Sequence, residues 1–349
     1  MLVLGIESTC DETACAVVRD GKEILSNVVT SQIDLHEQFG GVVPELACRR
    51  HIDVIIPVID EALKTANVEL SDIDLIAVAH GPGLIGALLI GLHTAKGLAL
   101  AHNIPFIGVN HVEAHLYASL MSMEKPIQFP CLGAVLSGGH TALILVEDVN
   151  RYYLISQTVD DAIGEAFDKV AKILDLPYPG GPQIEELAKH GNHLQYNFKG
   201  GNVKGRPLDF SFSGLKTSVL YAIKGQDCLD TVKSFKQSDK CNIAASFQHA
   251  ALNDVIKKTL LAAKKYSCNE VIFGGGVTNN QTLRQLFKNL APELTCHWPA
   301  VNLSLDNAAM IAGLGYHLFK SKGIGDSLEL EPLTRIPFVP LENSQNNND

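Results

Sequence analysis

Residues 110–120, NHVEAHLYASL, set two histidines four positions apart with a glutamate between them. On a helix, His111 and His115 share one face, with about 5–6 Å between their Cβ atoms, which suits two ligands of one metal ion. Two hydrogen-bonded histidines on a core or surface face would show the same spacing. A metalloprotease needs its base beside the histidines, as in HExxH or HxxEH. Here Glu113 falls about 200° around the helix from His111, off the histidine face, so peptide hydrolysis fits poorly.

Other residues offer complementary chemistry. Asp306, in DNAAM at 306–310, opens an apolar helical run. It is either an N-cap or first-turn acid, or the carboxylate that completes a two-histidine, one-carboxylate site with open positions. Ser137-Gly-Gly-His-Thr141 places two glycines in a strand-to-strand turn whose N–H groups can face an anion. A plain hairpin turn is the alternative. The equivalent turn near the start, Ser8-Thr-Cys-Asp-Glu-Thr13, is acidic and suits a metal, a proton or an amine. Gly81-Pro-Gly-Leu-Ile-Gly86 matches GxGxxG, but the next strand ends in Asn110, with no acid there for a ribose. A tight turn with close backbone approach is the safer expectation. No GxxxxGK[ST] is present, so a P-loop is excluded.

These residues need elements to position them. Apolar runs at 3–6, 14–18 and 22–29, the last after Asp20-Gly21, predict an antiparallel opening. Pro44 opens a helical pattern with Leu46, Ile52, Ile55, Ile56, Ile59 and Leu63 as its stripe. A strand at 74–79, a break at His80-Gly-Pro-Gly83, a helix at 84–101 and a strand at 104–109 follow. MEKPIQFP, at 123–130, reads as a linker. The pattern then restarts. At an offset of 128, Leu4, Gly5, Thr13, Ala14, Asp20 and Thr30 match Leu132, Gly133, Thr141, Ala142, Asp148 and Thr158. An amphipathic helix at 160–174, one or two helices within 232–265, a strand at 271–273, the break Gly274-Gly-Gly276 and a helix at 280–290 complete the parallel. Two duplicated α/β lobes of this kind describe the actin, sugar kinase and Hsp70-type ATPase architecture. The expected boundaries are 1–122 for the N-terminal lobe, 123–130 for the linker, 131–321 for the C-terminal lobe and 322–349 for an extension. Its polar end, NSQNNND, is expected to be disordered.

Composition bounds the partners. The 349 residues are 46% hydrophobic and 19% charged, with a net charge of −10. Such a chain does not attract nucleic acid in bulk and needs a local basic patch or a basic partner to do so. Residues 189–240 carry nine Lys or Arg against four Asp or Glu, interleaved with glycine and aromatics, so a solvated loop or a nucleic-acid contact is expected there. Eight cysteines without a CxxC pair favour reduced thiols and a cytoplasmic-type compartment. The start, MLVLGIES, reads as a strand and not as a targeting signal. The most apolar segment, 84–92, is far short of the roughly 20 residues of a membrane span and reads as a buried helix.

Taken together, the motifs resemble the bacterial TsaD family, the catalytic subunits of tRNA threonylcarbamoyl transfer once called glycoprotease-like. The resemblance rests on GIESTCDET at 5–13, GGVVPE at 40–45, GPG at 81–83, HVEAH at 111–115, SGGHT at 137–141, GEAFDK at 164–169, YPGGP at 178–182, DFSFSGLK at 209–216, GGGV at 274–277 and Asp306-Asn307. It covers nearly the whole chain in the right order. It implies an α/β, duplicated two-lobe actin-like ATPase (ASKHA) fold. It implies an iron site at His111, His115 and Asp306, with one ion per subunit and zinc or magnesium as substitutes in vitro. It implies adenylate binding at Val135, Leu136, Ser137, Gly138, Gly139, Asp168, Gly181 and Asn280. Asn279 precedes Asn280 where the family usually has a small residue, so either asparagine is a candidate.

The implied reaction transfers the threonylcarbamoyl group from threonylcarbamoyl-AMP to the exocyclic amine of the adenosine beside the anticodon, in tRNAs reading codons that begin with A. AMP is released. Asp11 and Glu12 are candidates for the base. Implied partners are tRNA, a shorter actin-like paralogue and a small P-loop ATPase, with no membrane. A small-molecule kinase of the same fold and a non-catalytic ATPase scaffold are the alternatives.

Overall fold

Alternation along three strands decides the first layer. In the computed structural model, which describes residues 1–225, 236–336 and 339–340, β1 spans Leu2–Glu7, β2 Glu12–Arg19, β3 Glu23–Ser31, β4 Leu75–Gly81 and β5 Phe106–Asn110. They form one sheet in the order β3-β2-β1-β4-β5, antiparallel across β1–β3 and parallel across β1, β4 and β5. Val3, Ala14, Ala16, Val18, Leu75 and Ala77 face one core; Leu4, Ile6, Cys15, Val17, Ile76 and Val78 face another. Both faces are covered, which is why these strands read as nearly continuous apolar runs.

Size sorts what packs on each face. The small-residue face receives the helix Ala308–Lys322, whose first eight residues, AAMIAGLG, are all buried. A Cβ at Gly5 would run into the Ala308 carbonyl oxygen, and one at Gly315 into the Ala77 methyl, so helix and sheet approach closely here. The opposite face carries the helices Pro44–Ala66 and Ile85–His102. The stripe of Pro44–Ala66 is rotated from the expected one. Ala47, His51, Ile55, Val58, Ile59 and Ala62 point inward, while Ile52 and Ile56 are exposed, because His51 takes an inward position and bonds to the sheet. Ile85–His102 is, among the described residues, the one helix long and apolar enough to cross a membrane. Its Ala87, Leu88, Leu92, Ala95 and Ala99 are nonetheless buried in the fold.

The second sheet repeats the first. Its strands are β6 Cys131–Leu136, β7 Thr141–Asp148, β8 Arg151–Gln157, β9 Glu270–Gly274, β10 Thr295–His297 and the two-residue β11, Val339–Pro340. The order β10-β9-β6-β7-β8-β11 contains the same run, position for position. The register also repeats: Leu4 opposes Val17 as Leu132 opposes Leu145, and Gly5 opposes Ala16 as Gly133 opposes Ile144. Each pair is related by the offset of 128, so the two hairpins are structural equivalents. The expected helix at 160–174 runs over Ile163–Ile173 and the run within 232–265 is one helix, Gln237–Lys265; residues 232–235 lie outside the described residues.

By contact the chain divides into two units. Unit 1 holds Met1–Phe129, Glu147–Tyr152 and Trp298–Val339, and unit 2 holds Pro130–Val146, Tyr153–His297 and Pro340. This differs from the expected lobe at 131–321: Trp298 onward goes with unit 1, because the Ala/Gly-rich helix finds its complementary face on the first sheet. The extension continues there. Asp326 N–H donates to Phe106 O at 2.7 Å, Leu333 N–H to His80 O at 2.8 Å, and Lys96 Nζ to Leu330 O at 2.6 Å. The NSQNNND terminus lies outside the described residues.

Candidate functional site

The strand β5 delivers the histidines. Asn110 ends it and caps the helix His111–Met121, its Oδ1 accepting from Val112 N–H at 2.9 Å. His111 thus occupies the first helical position and His115 the next turn, with ring centroids 4.6 Å apart at 79°. Asp306 precedes the other helix. The cap of Ala308–Lys322 is Asn307, whose Oδ1 accepts from Met310 N–H at 3.1 Å. The carboxylate of Asp306 is therefore not the cap. It turns toward the histidines instead: Oδ1 lies 3.1 Å from His115 Nε2 and 3.6 Å from His111 Nε2.

Ligand atoms of these three residues lie within 4.8 Å of one another, the only such metal-competent group among the described residues. A cation fits what the side chains lack. Both ring nitrogens of His115 are buried without a hydrogen-bond partner, and bound metal would satisfy one of them. Two nitrogens and one carboxylate suit a first-row transition metal and leave coordination positions open. Burial alone would push His111 down, but the Glu7 and Asp306 carboxylates outweigh it and hold the imidazole at about 9. A metal ion at this site would therefore compete with a proton. Glu113 takes no part. It accepts from Asn110 Nδ2 at 3.2 Å, and burial pushes its carboxyl up to about 7.

The acidic turn lies in the same unit. Glu12 accepts from Ser31 Oγ at 3.3 Å. Burial first, then the charges of Asp306 and Asp11, raises its carboxyl well above the ordinary range, which favours holding a proton. Asp11 is buried beside it, and its carbonyl accepts from Gln32 N–H at 3.1 Å. Burial, reinforced by Asp11 and Asp306, pushes the Cys10 thiol up, so it is not a thiolate nucleophile. The seven described cysteines are all free.

Three residues to which the sequence assigned no role hold this turn. Glu7 accepts from His111 Nδ1 at 2.9 Å and from Thr9 N–H at 2.6 Å. Thr9 in turn accepts Leu84 N–H at 2.8 Å, and a Cβ at Gly83 would stand 2.6 Å from Thr9 O, so the Gly-Pro-Gly turn makes the expected close approach. His51 spans the turn: Thr13 Oγ lies 2.7 Å from Nδ1, and Nε2–H donates to Cys10 O at 3.0 Å. A signal for Glu7 was present, since a carboxylate closing a buried strand must find a partner.

In unit 2 the glycine turn sits where β6 and β9 end. Ser137 N–H donates to His140 O at 2.8 Å, and His140 N–H to Ser137 Oγ at 3.0 Å. Nothing stands within 4 Å of where a Cβ would be at Gly138, Gly139 or Gly181, which leaves room above the backbone. The helix Ile163–Ile173 abuts the turn, with Gly164 N–H donating to Ser137 O at 3.1 Å. Val135 and Leu136 are buried strand residues leading into it. Asp168 accepts from Gly180 N–H at 2.7 Å and so holds the start of the helix Gly180–Ala188. Asn280 is committed to structure: Oδ1 accepts Leu283 N–H at 2.8 Å, and Nδ2 donates to Gln248 Oε1 at 2.9 Å. Asn279 Oδ1 is buried without a partner.

The basic segment is pinned by its backbone. Asn192 N–H donates to Asn242 Oδ1, Tyr196 N–H to Ser246 Oγ, and buried Lys258 Nζ to Gly201 O at 3.0 Å. Lys199, Lys204 and Arg206 stay exposed, with Arg206 paired to Asp209 at 3.0 Å. Residues 226–235 of this stretch lie outside the described residues.

Comparison with known proteins identifies the fold and the family. HypF from T. kodakarensis superposes with a TM-score of 0.61 at 16% identity, covering 92% of this chain and 48% of that longer one. Component A of the Acidaminococcus fermentans (R)-2-hydroxyglutaryl-CoA dehydratase gives 0.51 at 15% identity, covering 91% and 98%. These likenesses concern the fold alone, which is the duplicated actin-like α/β fold. A protein of Protochlamydia amoebophila named tRNA N6-adenosine threonylcarbamoyltransferase is 67% identical over 342 residues, 98% of this chain and 100% of that one. A Chlamydia abortus protein of the same name is 53% identical over 326 residues, 93% of each. The family model described by that name matches residues 23–313. With a match of that span and a relative two-thirds identical from end to end, the chain belongs to the tRNA N6-adenosine threonylcarbamoyltransferase (TsaD) family.

Proposed function

We propose that the protein transfers the threonylcarbamoyl group of threonylcarbamoyl-AMP to the exocyclic amine of the adenosine beside the anticodon, in tRNAs that read codons beginning with A. The observation that carries this reading is the convergence of His111, His115 and Asp306 in a chain of this family. Their Nε2 atoms and carboxylate would hold one ion per subunit, which we take to be iron, with zinc or magnesium as substitutes in vitro. What the ion supplies when bound is Lewis acidity and a template for substrate oxygens.

The chain's own groups do the rest. The Ser137–Thr141 turn, with Asp168, Gly181 and Asn280 around it, is proposed to receive the adenylate through backbone donors. The amine nitrogen attacks the carbamoyl carbon and a C–N bond forms. The bond from that carbon to the phosphate oxygen breaks, and AMP leaves with the electron pair. The proton on nitrogen passes to the Asp11–Glu12 pair in its ionised form, and the raised proton affinity of Glu12 then retains it. The mixed anhydride is already activated, so positioning supplies much of the rate.

Lys199, Lys204 and Arg206 are proposed to meet tRNA phosphates from a backbone held by Lys258. An acidic chain with one such patch suits a subunit that binds tRNA with help. The shorter actin-like paralogue and the small P-loop ATPase are the proposed helpers, and free thiols with a tRNA substrate suit the cytoplasm. Phosphoryl transfer by a kinase would leave the two-histidine cluster without a task.

The test incubates purified protein with threonylcarbamoyl-AMP, unmodified tRNA and iron, with and without the two partners. Mass spectrometry of digested tRNA is expected to detect threonylcarbamoyladenosine in amounts matching the AMP released. Absence of the modified nucleoside under every condition overturns the proposal.

A further inference from the structure

We propose that Glu7 is the positioning residue of the metal cluster: it holds the His111 ring with its proton on Nδ1, so that Nε2 is the nitrogen offered to the ion. Glu7 ends β1 with its side chain 1% exposed, and Oε2 accepts from His111 Nδ1 at 2.9 Å. Its other oxygen accepts Thr9 N–H at 2.6 Å, so both are committed and the carboxylate cannot rotate away. Thr9 is itself fixed through Leu84 N–H, and Ser8 Oγ donates to Ala87 O at 2.9 Å. A Cβ at Gly91 would run into Ser8 Oγ, so the helix Ile85–His102 is seated against this turn.

The two histidines are unequal as a result. His111 has a carboxylate on Nδ1 and Asp306 before Nε2, whereas His115 Nδ1 has no partner. A carboxylate behind a ligand imidazole fixes its tautomer and orientation and raises its basicity. The acid is specifically required. A carboxylate offers two acceptors, while an amide offers one acceptor and one donor, so Glu7→Gln cannot serve both Thr9 N–H and His111 Nδ1–H.

The inference rests on the cluster being a metal site, and the test separates the two. Full-length wild type, Glu7→Gln and His111→Ala are titrated with Zn²⁺ alone against a competing chelator. The melting temperature of the metal-free protein is followed in parallel. Glu7→Gln is expected to bind Zn²⁺ about 10–100-fold more weakly while still folded. Independently, long-range ¹⁵N–¹H spectra of Zn²⁺-loaded wild type, labelled at histidine and assigned with His111→Ala, are expected to show His111 protonated at Nδ1 and bound through Nε2. Equal affinity in folded Glu7→Gln, or binding through Nδ1, overturns the role of Glu7 and leaves the site intact. No Zn²⁺ affinity in wild type removes the site and this inference together. If Glu7→Gln does not fold, the wild-type spectrum decides.

Discussion

His115 Nε2 stands 3.1 Å from Asp306 Oδ1, although the carboxylate arrives on a segment near the other end of the chain. Neither ring nitrogen of this histidine has a hydrogen-bond partner, and the proposed cation would supply one. Asp306→Asn keeps the shape and removes the charge. It is expected to lose bound metal, measured by elemental analysis, and to lower the transfer rate by about 100-fold or more, since Lewis acidity of this kind contributes several kcal/mol. A variant with full metal content would defeat the assignment.

Gly5 tests the packing that brings Asp306 in. A methyl group there meets the Ala308 carbonyl and Ala312, on the helix that follows Asp306. Gly5→Ala is expected to cost about 1–3 kcal/mol through overpacking. Zn²⁺ affinity should fall with it, because the helix can relax only by moving its first turn. Urea denaturation and metal titration read the two effects; an unchanged denaturation midpoint would contradict the close approach.

His51 gives the acidic turn a pH dependence. Burial, the largest influence, lowers its basicity, and its Nδ1 is placed to accept from Thr13 Oγ. The folded form therefore binds a proton less readily than the unfolded chain, whose histidine titrates near 6.5. Stability from this group is fully present above about pH 6.5 and is lost as pH falls toward the depressed folded value. Wild type should accordingly exceed His51→Gln in stability by more at pH 7.5 than at pH 5.5. Paired denaturation curves at the two values check it, and a difference that grows on acidification would refute the neutral histidine.

Asn280 and Asn279 can be separated by stability. Asn280→Ala removes the cap of the helix Gln281–Leu290 and the bond to Gln248, and is expected to cost about 1 kcal/mol or more. Asn279→Ala loses no hydrogen bond from its Oδ1 and should leave the melting temperature nearly unchanged. Its KM for threonylcarbamoyl-AMP is the discriminating number: a rise there at unaltered stability makes Asn279 the adenylate contact, and no rise returns the role to Asn280.

Much of this was legible in the chain. The offset of 128 carried the strand register itself, because both hairpins bury both faces and a slip of one residue would exchange them. The helical spacing of His111 and His115, and the exclusion of Glu113 from their face, needed only the period of the helix. What periodicity could not carry was partnership. The apolar run after Asp306 looked like the second lobe by its place in sequence, yet its alanines and glycines match the small residues of the first sheet. Asp306 resembled a cap until Asn307 took that task. The roles of Thr9 and His51, and the identity of the partner that Glu7 needed, were invisible for the same reason: they are contacts between segments far apart in the chain, and no local pattern records them.

The late return of residues 298–339 to unit 1 has a consequence during synthesis. A ribosome produces the histidines early, but the first sheet stays half uncovered, and the ligand set incomplete, until nearly the whole chain has emerged. Any product terminated before Asp306 has two histidines and no site. Copies that stop short of that segment would therefore lack the proposed ion, and metal loading would report that synthesis had passed Asp306.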